Sequence, residues 1–184
     1  AADIIDGGND HDVLNGDAGD DLIRGGGQND TITGGTGNDT VWGNMGRDNI
    51  SLGDGDDVFH DEAQNNSYGF DTVSGGNGND TIFGEAGDDT INGGLGNDTL
   101  NGDAGNDTLE GGFGSDTVIG GAGHDHVKAK PVGQTVFEGR NYGLIKTGLD
   151  QLRFPVISRQ ERMIGAKSKI GAAVEIRLQP HVQI

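Results

Sequence analysis

The sequence has no cysteine, few aromatic residues and no long apolar run, and these absences limit the class of protein. Without cysteine the chain has no disulfide framework and no thiolate metal site. Aromatic residues make up only 5% of the chain, a content that would suggest disorder in a sequence without periodicity. No apolar run is long enough to span a membrane, and the N-terminal residues lack the basic and apolar segments of a signal peptide.

Glycine and acidic residues are abundant instead, with 37 glycines and a formal net charge of −18. From Asp3 to Lys128 they recur every nine residues in the unit G-G-x-G-x-D-x-U-x, where U is apolar. One acid and one apolar residue per nine-residue unit is typical of a solenoid held by metal ions. The sixth-position acids are Asp3, Asp12, Asp21, Asp30, Asp39, Asp48, Asp57, Asp71, Asp80, Asp89, Asp98, Asp107, Asp116 and Asp125.

Each unit predicts a tight turn followed by a short strand. Gly suits the turn because it tolerates positive φ, and the Asn or Asp at the fifth position is interpreted as the next most tolerant choice. The last three residues predict a strand with U facing inward. Two units, with one strand on each side, can enclose a thin core that one unit cannot. We therefore predict an all-β fold, a two-sheet solenoid whose stacked coils each contain two units.

Stacking places each Asp almost directly above the Asp two units earlier, for example Asp80 near Asp98 and Asp89 near Asp107. Strands of neighbouring coils lie about 4.8 Å apart. Two bare carboxylates at that distance repel by roughly 3 to 4 kcal/mol at an effective dielectric near 20. A hard divalent cation between the turns would reverse this repulsion. Calcium suits the site best because it accepts carboxylate and carbonyl oxygens in flexible geometry, whereas magnesium prefers a rigid octahedron and zinc prefers His or Cys.

The repeat resembles that of the repeats-in-toxin (RTX) family, also called hemolysin-type calcium-binding repeats. The best copies are Gly34 to Trp42 and Gly93 to Asn101, and the resemblance covers about two thirds of the chain. It implies a parallel β-roll that holds calcium ions between its turns, and we expect about ten ions. If each site were at ten times its dissociation constant, each ion would contribute roughly 1.4 kcal/mol. The implied ligands are the carboxylates of Asp12, Asp21, Asp30, Asp39, Asp48, Asp57, Asp71, Asp80, Asp89, Asp98, Asp107, Asp116 and Asp125, with the turn carbonyls of Gly34, Thr36, Asn38, Gly75, Asn77, Asn79, Gly93, Leu95, Asn97, Gly102, Ala104 and Asn106.

The repeat region is predicted to be mostly unfolded without metal. Each unit buries about one apolar side chain, worth roughly 1.5 to 3 kcal/mol. Ordering the backbone of nine residues costs on the order of 9 to 14 kcal/mol, which is far more. Metal binding would then supply the missing folding energy.

Several units depart from the consensus, and we expect weaker or irregular sites there. Asp10 and Gln28 replace the fourth-position Gly, and Leu52 replaces the first. Asn66-Ser67 replaces the Gly pair in the copy after an insertion.

The insertion, residues 61–65, separates the copies that end at His60 and Ser74. A tolerated bulge at the surface is the favoured interpretation. The alternative is that Asp61 and Glu62 ligate an extra ion.

Residues 129–184 form a predicted non-repeat segment of different composition, following the calcium-binding roll of residues 1–128. Ten of the 12 Lys and Arg residues lie beyond Val127, whereas 26 of the 30 acids precede it. A helix is expected around Arg159 to Lys169, although Gly165 weakens it. Short strands are predicted at Thr135 to Phe137, Tyr142 to Lys146, Leu152 to Phe154 and Val174 to Leu178.

Three roles remain open for this tail. It could be a β-rich cap that closes the end of the solenoid, as repeat proteins require. It could instead be a secretion signal, or a binding face for an acidic polysaccharide or lipopolysaccharide. Nucleic acid is not an expected partner, because the acidic roll would repel phosphate. The cations that motivate the binding face are Arg153, Arg159, Arg162, Lys167, Lys169 and Arg177.

No catalytic motif is present in the sequence, and we expect no enzyme activity from this chain. His124 and His126 flank Asp125 at variable positions that should point outward, so a transition-metal site is not favoured. Trp42 and Phe83 both occupy the last repeat position, where a shared face would hint at sugar stacking. Isolated surface aromatics are the favoured interpretation.

The sequence therefore predicts a calcium-binding module of a secreted bacterial protein, one that folds outside the cell and stabilises or presents its parent. The chain starts in mid-repeat, so we expect it to belong to a longer protein with upstream domains. The resemblance implies type I export from a Gram-negative bacterium. The alternatives are a carbohydrate-binding or adhesin module, similar to the repeat modules of alginate epimerases, and the non-catalytic C-terminal part of a secreted protease, lipase or toxin.

Overall fold

The chain folds as two stacked parallel β-sheets. The computed structural model describes residues 1–61 and 69–128, together with the backbone of residues 135–137. The eight-stranded sheet contains β1 (Ile4–Gly8), β3 (Leu22–Gly27), β5 (Thr40–Met45), β7 (Val58–His60), β9 (Thr81–Phe83), β11 (Thr99–Asn101), β13 (Thr117–Ile119) and β15 (Thr135–Phe137). The seven-stranded sheet contains β2 (Val13–Asn15), β4 (Thr31–Thr36), β6 (Asn49–Asp54), β8 (Thr72–Asn77), β10 (Thr90–Leu95), β12 (Thr108–Phe113) and β14 (His126–Lys128).

Successive strands alternate between the two sheets, so each strand pairs with the strand two along the sequence. Ile23 of β3 is in register with Val41 of β5, and Ile32 of β4 with Ile50 of β6. Each coil thus contains two repeats, and the predicted all-β parallel roll is confirmed. Among the described residues no helix is present, and none could therefore cross a membrane.

The apolar U residues form the core between the sheets. They alternate with exposed or half-buried neighbours, because successive side chains of a strand point to opposite faces. Leu52 is an additional core residue with no exposed surface. Ile5 and Leu14 are only partly buried, because they belong to the first coil. The fully formed core comprises Ile23, Ile32, Val41, Ile50, Leu52, Phe59, Val73, Ile82, Ile91, Leu100, Leu109, Val118 and Val127.

The turns differ from the predicted ones in which residues have positive φ. The second position and most fourth positions adopt it, as in Gly35 (φ 122°) and Gly37 (φ 119°), whereas Asp10 and Gly69 do not. Fifth-position residues such as Asn38 do not have positive φ. The interpretation that Asn and Asp occur there because they tolerate positive φ was therefore wrong. The strands are also longer than predicted in many units, because they extend through the Gly pair, as in β4 and β10.

The insertion does not disturb the sheets. β7 and β9 remain in register, with Phe59 opposite Ile82, and β6 pairs with β8 in the same way. Asp61 is only 1% exposed, so the predicted surface bulge is wrong for this residue. Glu62 and the rest of the loop up to residue 68 lie outside the described residues.

One predicted strand of the tail is confirmed. β15 pairs with β13 and places Thr135 opposite Thr117, so the eight-stranded sheet extends beyond Lys128. The other predicted strands, the helix around Arg159 to Lys169 and the basic residues of the proposed binding face lie outside the described residues. The division of the chain near residue 128 stays a prediction.

Candidate metal centre

The sixth-position aspartates form two columns, one at each edge of the roll. The turns of one column lead from the seven-stranded sheet to the eight-stranded sheet, and those of the other column lead back. Each Asp immediately precedes a strand. Within a column, each backbone N–H donates to Oδ1 of the Asp in the next coil, as from Asp80 to Asp98 (3.0 Å) and from Asp89 to Asp107 (2.9 Å). The predicted stacking of these pairs is confirmed. Ladder 1 comprises Asp21, Asp39, Asp57, Asp80, Asp98 and Asp116, and ladder 2 comprises Asp12, Asp30, Asp48, Asp71, Asp89, Asp107 and Asp125.

The second carboxylate oxygen of most ladder residues is buried without a hydrogen-bond partner. Oδ1 accepts the backbone N–H of the neighbouring turn, whereas Oδ2 has no such contact, for example in Asp39 and Asp89. A buried acceptor without a partner is costly, and a charged one more so. A repeated set of such oxygens along both edges therefore indicates a ligand that binds carboxylate. They are the Oδ2 atoms of Asp12, Asp21, Asp30, Asp39, Asp48, Asp57, Asp71, Asp80, Asp89, Asp98, Asp107 and Asp125.

The first-position glycines leave a small space beside these oxygens. A Cβ atom on Gly16 would lie 2.5 Å from Asp21 Oδ2 and 2.5 Å from the carbonyl oxygen of Gly34 in the next coil. We call this space the cradle, defined by the first-position residue, the Oδ2 of its own turn and the carbonyl of the next coil. Both oxygens are hard donors of the kind that calcium binds, and they converge on the same side of the glycine.

The cradle recurs in both ladders. A Cβ on Gly25 would lie 2.5 Å from Asp30 Oδ2 and 2.8 Å from the Gly43 carbonyl. The donors are hard oxygens from flexible turns, a set that suits calcium better than zinc. The residues present therefore fit the ion that the repeat implies.

The predicted carbonyl ligands fall into three groups by repeat position. First-position carbonyls such as those of Gly34, Gly93 and Gly102 border cradles. Third-position carbonyls accept backbone hydrogen bonds from the preceding coil, as Thr36 does from Gly19 (2.8 Å), which leaves one lone pair for another donor. Asn77, Leu95 and Ala104 do the same. The assignment of these carbonyls, of Gly75, and of Asn38, Asn79, Asn97 and Asn106 as ligands stays a prediction.

Burial raises the pKa of many of the ladder carboxyls. Removal from water disfavours the charged form and is the largest cause, with neighbouring carboxylates adding to it. The pKa rises to about 7 for Asp48, Asp80, Asp89 and Asp107. The hydrogen bond from the neighbouring backbone N–H acts in the opposite direction and lowers it.

Two departures from the consensus have different structural outcomes. Gln28 keeps the positive φ of a fourth-position Gly, at 72°. Leu52 changes the cradle, because Gly53 is in register with Gly35 and Gly76, so Leu52 aligns with the first-position Gly34. The Leu52 Cβ therefore occupies the place of a cradle in the turn of Asp57. This turn has a core side chain where the consensus turns have only glycine.

Fifth-position side chains form additional ladders that the sequence interpretation missed. Oδ1 of Asn38 accepts the backbone N–H of Asp56 (2.9 Å), and Oδ1 of Asn79 accepts that of Asn97 (2.9 Å). These contacts explain the preference for Asn and Asp better than φ does. The recurrence of a side-chain acceptor every 18 residues was the available signal.

The last-position aromatics are stacked, so the interpretation of isolated surface aromatics was wrong. His60 lies between Trp42 and Phe83 in register, with ring centroids 6.2 Å and 5.0 Å away. The Arg24 guanidinium lies 5.1 Å from the Trp42 ring centroid. His124 and His126 are exposed, as expected for variable positions.

Comparison with protein families agrees with the geometry. The family model described as RTX calcium-binding nonapeptide repeat matches four segments, residues 1–32, 24–59, 66–100 and 93–127. Together these segments contain every residue of both ladders and omit the insertion. No curated protein is significantly similar in sequence to the chain.

Proposed function

Because the chain belongs to the family of RTX calcium-binding nonapeptide repeats, we propose that it is a module that folds outside the cell when its Asp ladders bind calcium. Calcium binding by the repeats is the family property, and the roll is a structural calcium-binding fold. The folded roll would stabilise or present the parent protein.

The observation that carries this proposal is the stack of buried carboxylates with unpartnered Oδ2 atoms. Asp39, Asp80 and Asp98 are each 1% exposed and lie in the same ladder. In the charged form they repel one another and lack the water that would stabilise them. A chain with so thin a core cannot easily carry that cost, so the folded state should depend on a bound cation.

Calcium, when bound, supplies positive charge between successive turns and accepts oxygen ligands from them. The ladder residues contribute Oδ2, and the first-position carbonyls contribute the second oxygen of each cradle. The Oδ1 hydrogen bonds fix each carboxylate, so the Oδ2 ligand atoms have the same orientation in successive coils. Binding in one turn thereby orders the turn next to it, and the transition should be cooperative.

Export is proposed on the same basis. RTX repeats are typical of secreted proteins, and low cytosolic calcium would keep this chain unfolded until it left the cell. Type I secretion from a Gram-negative bacterium suits a chain that travels unfolded. No catalytic site is shown among the described residues, so any enzyme activity would belong to the parent protein.

A calcium titration followed by far-UV circular dichroism tests the proposal, with magnesium as the control ion. Trp42, the only tryptophan, stacks on His60 and gives an independent fluorescence signal. We expect a cooperative coil-to-β transition with calcium in both signals, and none with magnesium. A β-rich spectrum in excess chelator at alkaline pH, where the ladder carboxylates are charged, would show that the apolar core folds without metal and would refute the proposal.

A further inference from the structure

The first residue of the insertion lies beside ladder 2. Asp61 directly follows β7 and stands where other turns have the first-position Gly, since β7 is in register with β9 and Gly84 follows β9. Its backbone N–H donates to the carbonyl oxygen of Phe83 (3.3 Å). The side chain is 1% exposed, and both of its carboxylate oxygens are buried without a hydrogen-bond partner.

Three carboxyl groups converge at this point. Oxygens of Asp48, Asp61 and Asp71 all lie within 4.8 Å of one another. Oδ1 of Asp48 accepts the N–H of Asp30 and Oδ1 of Asp71 accepts that of Asp48, each at 2.7 Å. The remaining oxygens, Oδ2 of both residues and the pair on Asp61, have no such partner.

This arrangement differs from the repeating cradle. A Cβ on Gly43 would lie 2.7 Å from Asp48 Oδ2 and 3.3 Å from Asp61 Oδ1. In the corresponding cradle at Gly25, the second oxygen is the neutral carbonyl of Gly43. Asp61 therefore adds a third carboxylate to the stacked pair, and the local formal charge is more negative than in a consensus turn.

We propose that Asp48, Asp61 and Asp71 form a separate cation site, which the insertion creates and the nonapeptide pattern does not contain. Its ligand is a hard cation that binds oxygen, with calcium as the divalent occupant. The extra charge makes it the site of highest affinity in the chain and gives it the strongest preference for a trivalent ion. The proposal goes beyond calcium binding by the repeats, because it concerns a residue outside the repeat pattern.

The test compares Asp61→Asn with Asp10→Asn. Both substitutions remove one carboxylate, but Asp10 is exposed at a turn. Terbium is titrated into the calcium-saturated protein and its luminescence is measured. We expect the native chain and Asp10→Asn to bind a first, tightest equivalent of terbium. Asp61→Asn should bind this equivalent at least tenfold more weakly. Equal terbium binding by all three proteins would overturn the proposal.

The calcium midpoint of folding distinguishes a ligand from a merely buried charge. If Asp61 ligates a cation, Asp61→Asn must move the midpoint to higher calcium, and complete loss of folding is the extreme of this shift. If Asp61 is only a buried unpaired carboxylate, its removal must move the midpoint to lower calcium, which would refute the site.

Asp61→Gly, which restores the repeat residue, gives a folded reference if Asp61→Asn does not fold. We expect it to regain a consensus turn while still lacking the tightest terbium equivalent, and retention of that equivalent would count against the site. If the native chain proves folded in chelator, calcium-dependent folding fails as a function. Terbium binding still decides the Asp61 site in that case.

Discussion

The backbone N–H of Asp80 donates a 3.0 Å hydrogen bond to Oδ1 of Asp98, so each carboxylate of the ladder is fixed by the turn that precedes it. The same bond leaves Oδ2 of Asp98 buried and unpartnered. One side chain thus has two separate roles, in which one oxygen joins the coils and the other is available to a cation.

A comparison of Asp89 with its neighbour Asp88 distinguishes the role of a ladder carboxylate from the effect of negative charge alone. Asp89 is a buried ladder residue, whereas Asp88 is exposed and accepts the N–H of Asn106 (2.7 Å). We expect Asp89→Asn to bind about one calcium fewer and to fold at higher calcium, because an Oδ2 ligand is lost. Asp88→Asn keeps an acceptor and should change the midpoint little. Calorimetric stoichiometry with circular dichroism checks both, and equal effects of the two would contradict the ladder assignment.

The cradle predicts which glycines cannot be replaced by alanine. On Gly34 a Cβ would lie 2.5 Å from the Leu52 carbonyl and 2.6 Å from Asp39 Oδ2, whereas on Gly27 it would meet nothing closer than 3.7 Å. We expect Gly34→Ala to destabilise the calcium-loaded fold by about 1 to 3 kcal/mol, since the methyl group overfills the turn and competes with the cation. Gly27→Ala is the control and should be near neutral. Chemical denaturation in saturating calcium measures both, and similar losses would argue against the cradle.

Leu52 offers the reverse experiment. Leu52→Gly should empty a cradle beside Asp57 and add about one calcium to the stoichiometry, whereas Leu52→Ala keeps a Cβ there and should add none. Both variants lose a buried side chain, and we expect a cost of about 2 to 5 kcal/mol from core packing. The added calcium should offset part of that cost in the Gly variant alone. Calcium binding and thermal unfolding at high calcium distinguish the two, and identical stoichiometry would refute the role of Leu52.

The pH dependence should change sign with calcium. The pKa of Asp48 rises from 3.8 to about 7 on folding without metal, mainly because of burial. A carboxyl with a raised pKa binds more protons when folded, so its contribution to stability is full below pH 3.8 and is lost as the pH rises through about 7. In chelator, we expect β content to increase as the pH falls from about 8 to about 5, over the range set by these pKa values.

In calcium the same carboxylates must lose their protons to bind the ion. Acid should then weaken the fold over the range where alkali weakens it in chelator. Circular dichroism against pH, with and without calcium, tests both arms. A chelator curve that is flat or that rises with pH would contradict the raised pKa values.

The fold could be predicted from the sequence because one rule applies to every copy. Residues such as Val41 and Leu100 recur at the same phase, and alternation along a strand then determines which face is buried. The pairing of Asp80 with Asp98 follows from the same count, because a coil of two nine-residue units returns the chain to the same edge.

The remaining features depend on single residues and on exact register. Asp61 is one acid in an interrupted copy. Its position beside ladder 2 is determined only once β7 pairs with β9 across the insertion. The contact of His60 with both Trp42 and Phe83 depends on the same pairing. From the sequence alone, Asn at the fifth position could be explained by positive φ or by a side-chain hydrogen bond. The hydrogen bond from the Asp56 N–H to Asn38 distinguishes the two.

The intact register across the insertion also makes this turn an adjustable length. The spacing from Asp48 to Asp71 is 23 residues instead of 18, yet the hydrogen bond between them is 2.7 Å, as it is between Asp30 and Asp48. Neither sheet records the additional residues. The roll thus tolerates five extra residues between one strand and the next, and the pairing of β6 with β8 and of β7 with β9 is the same as elsewhere in the roll.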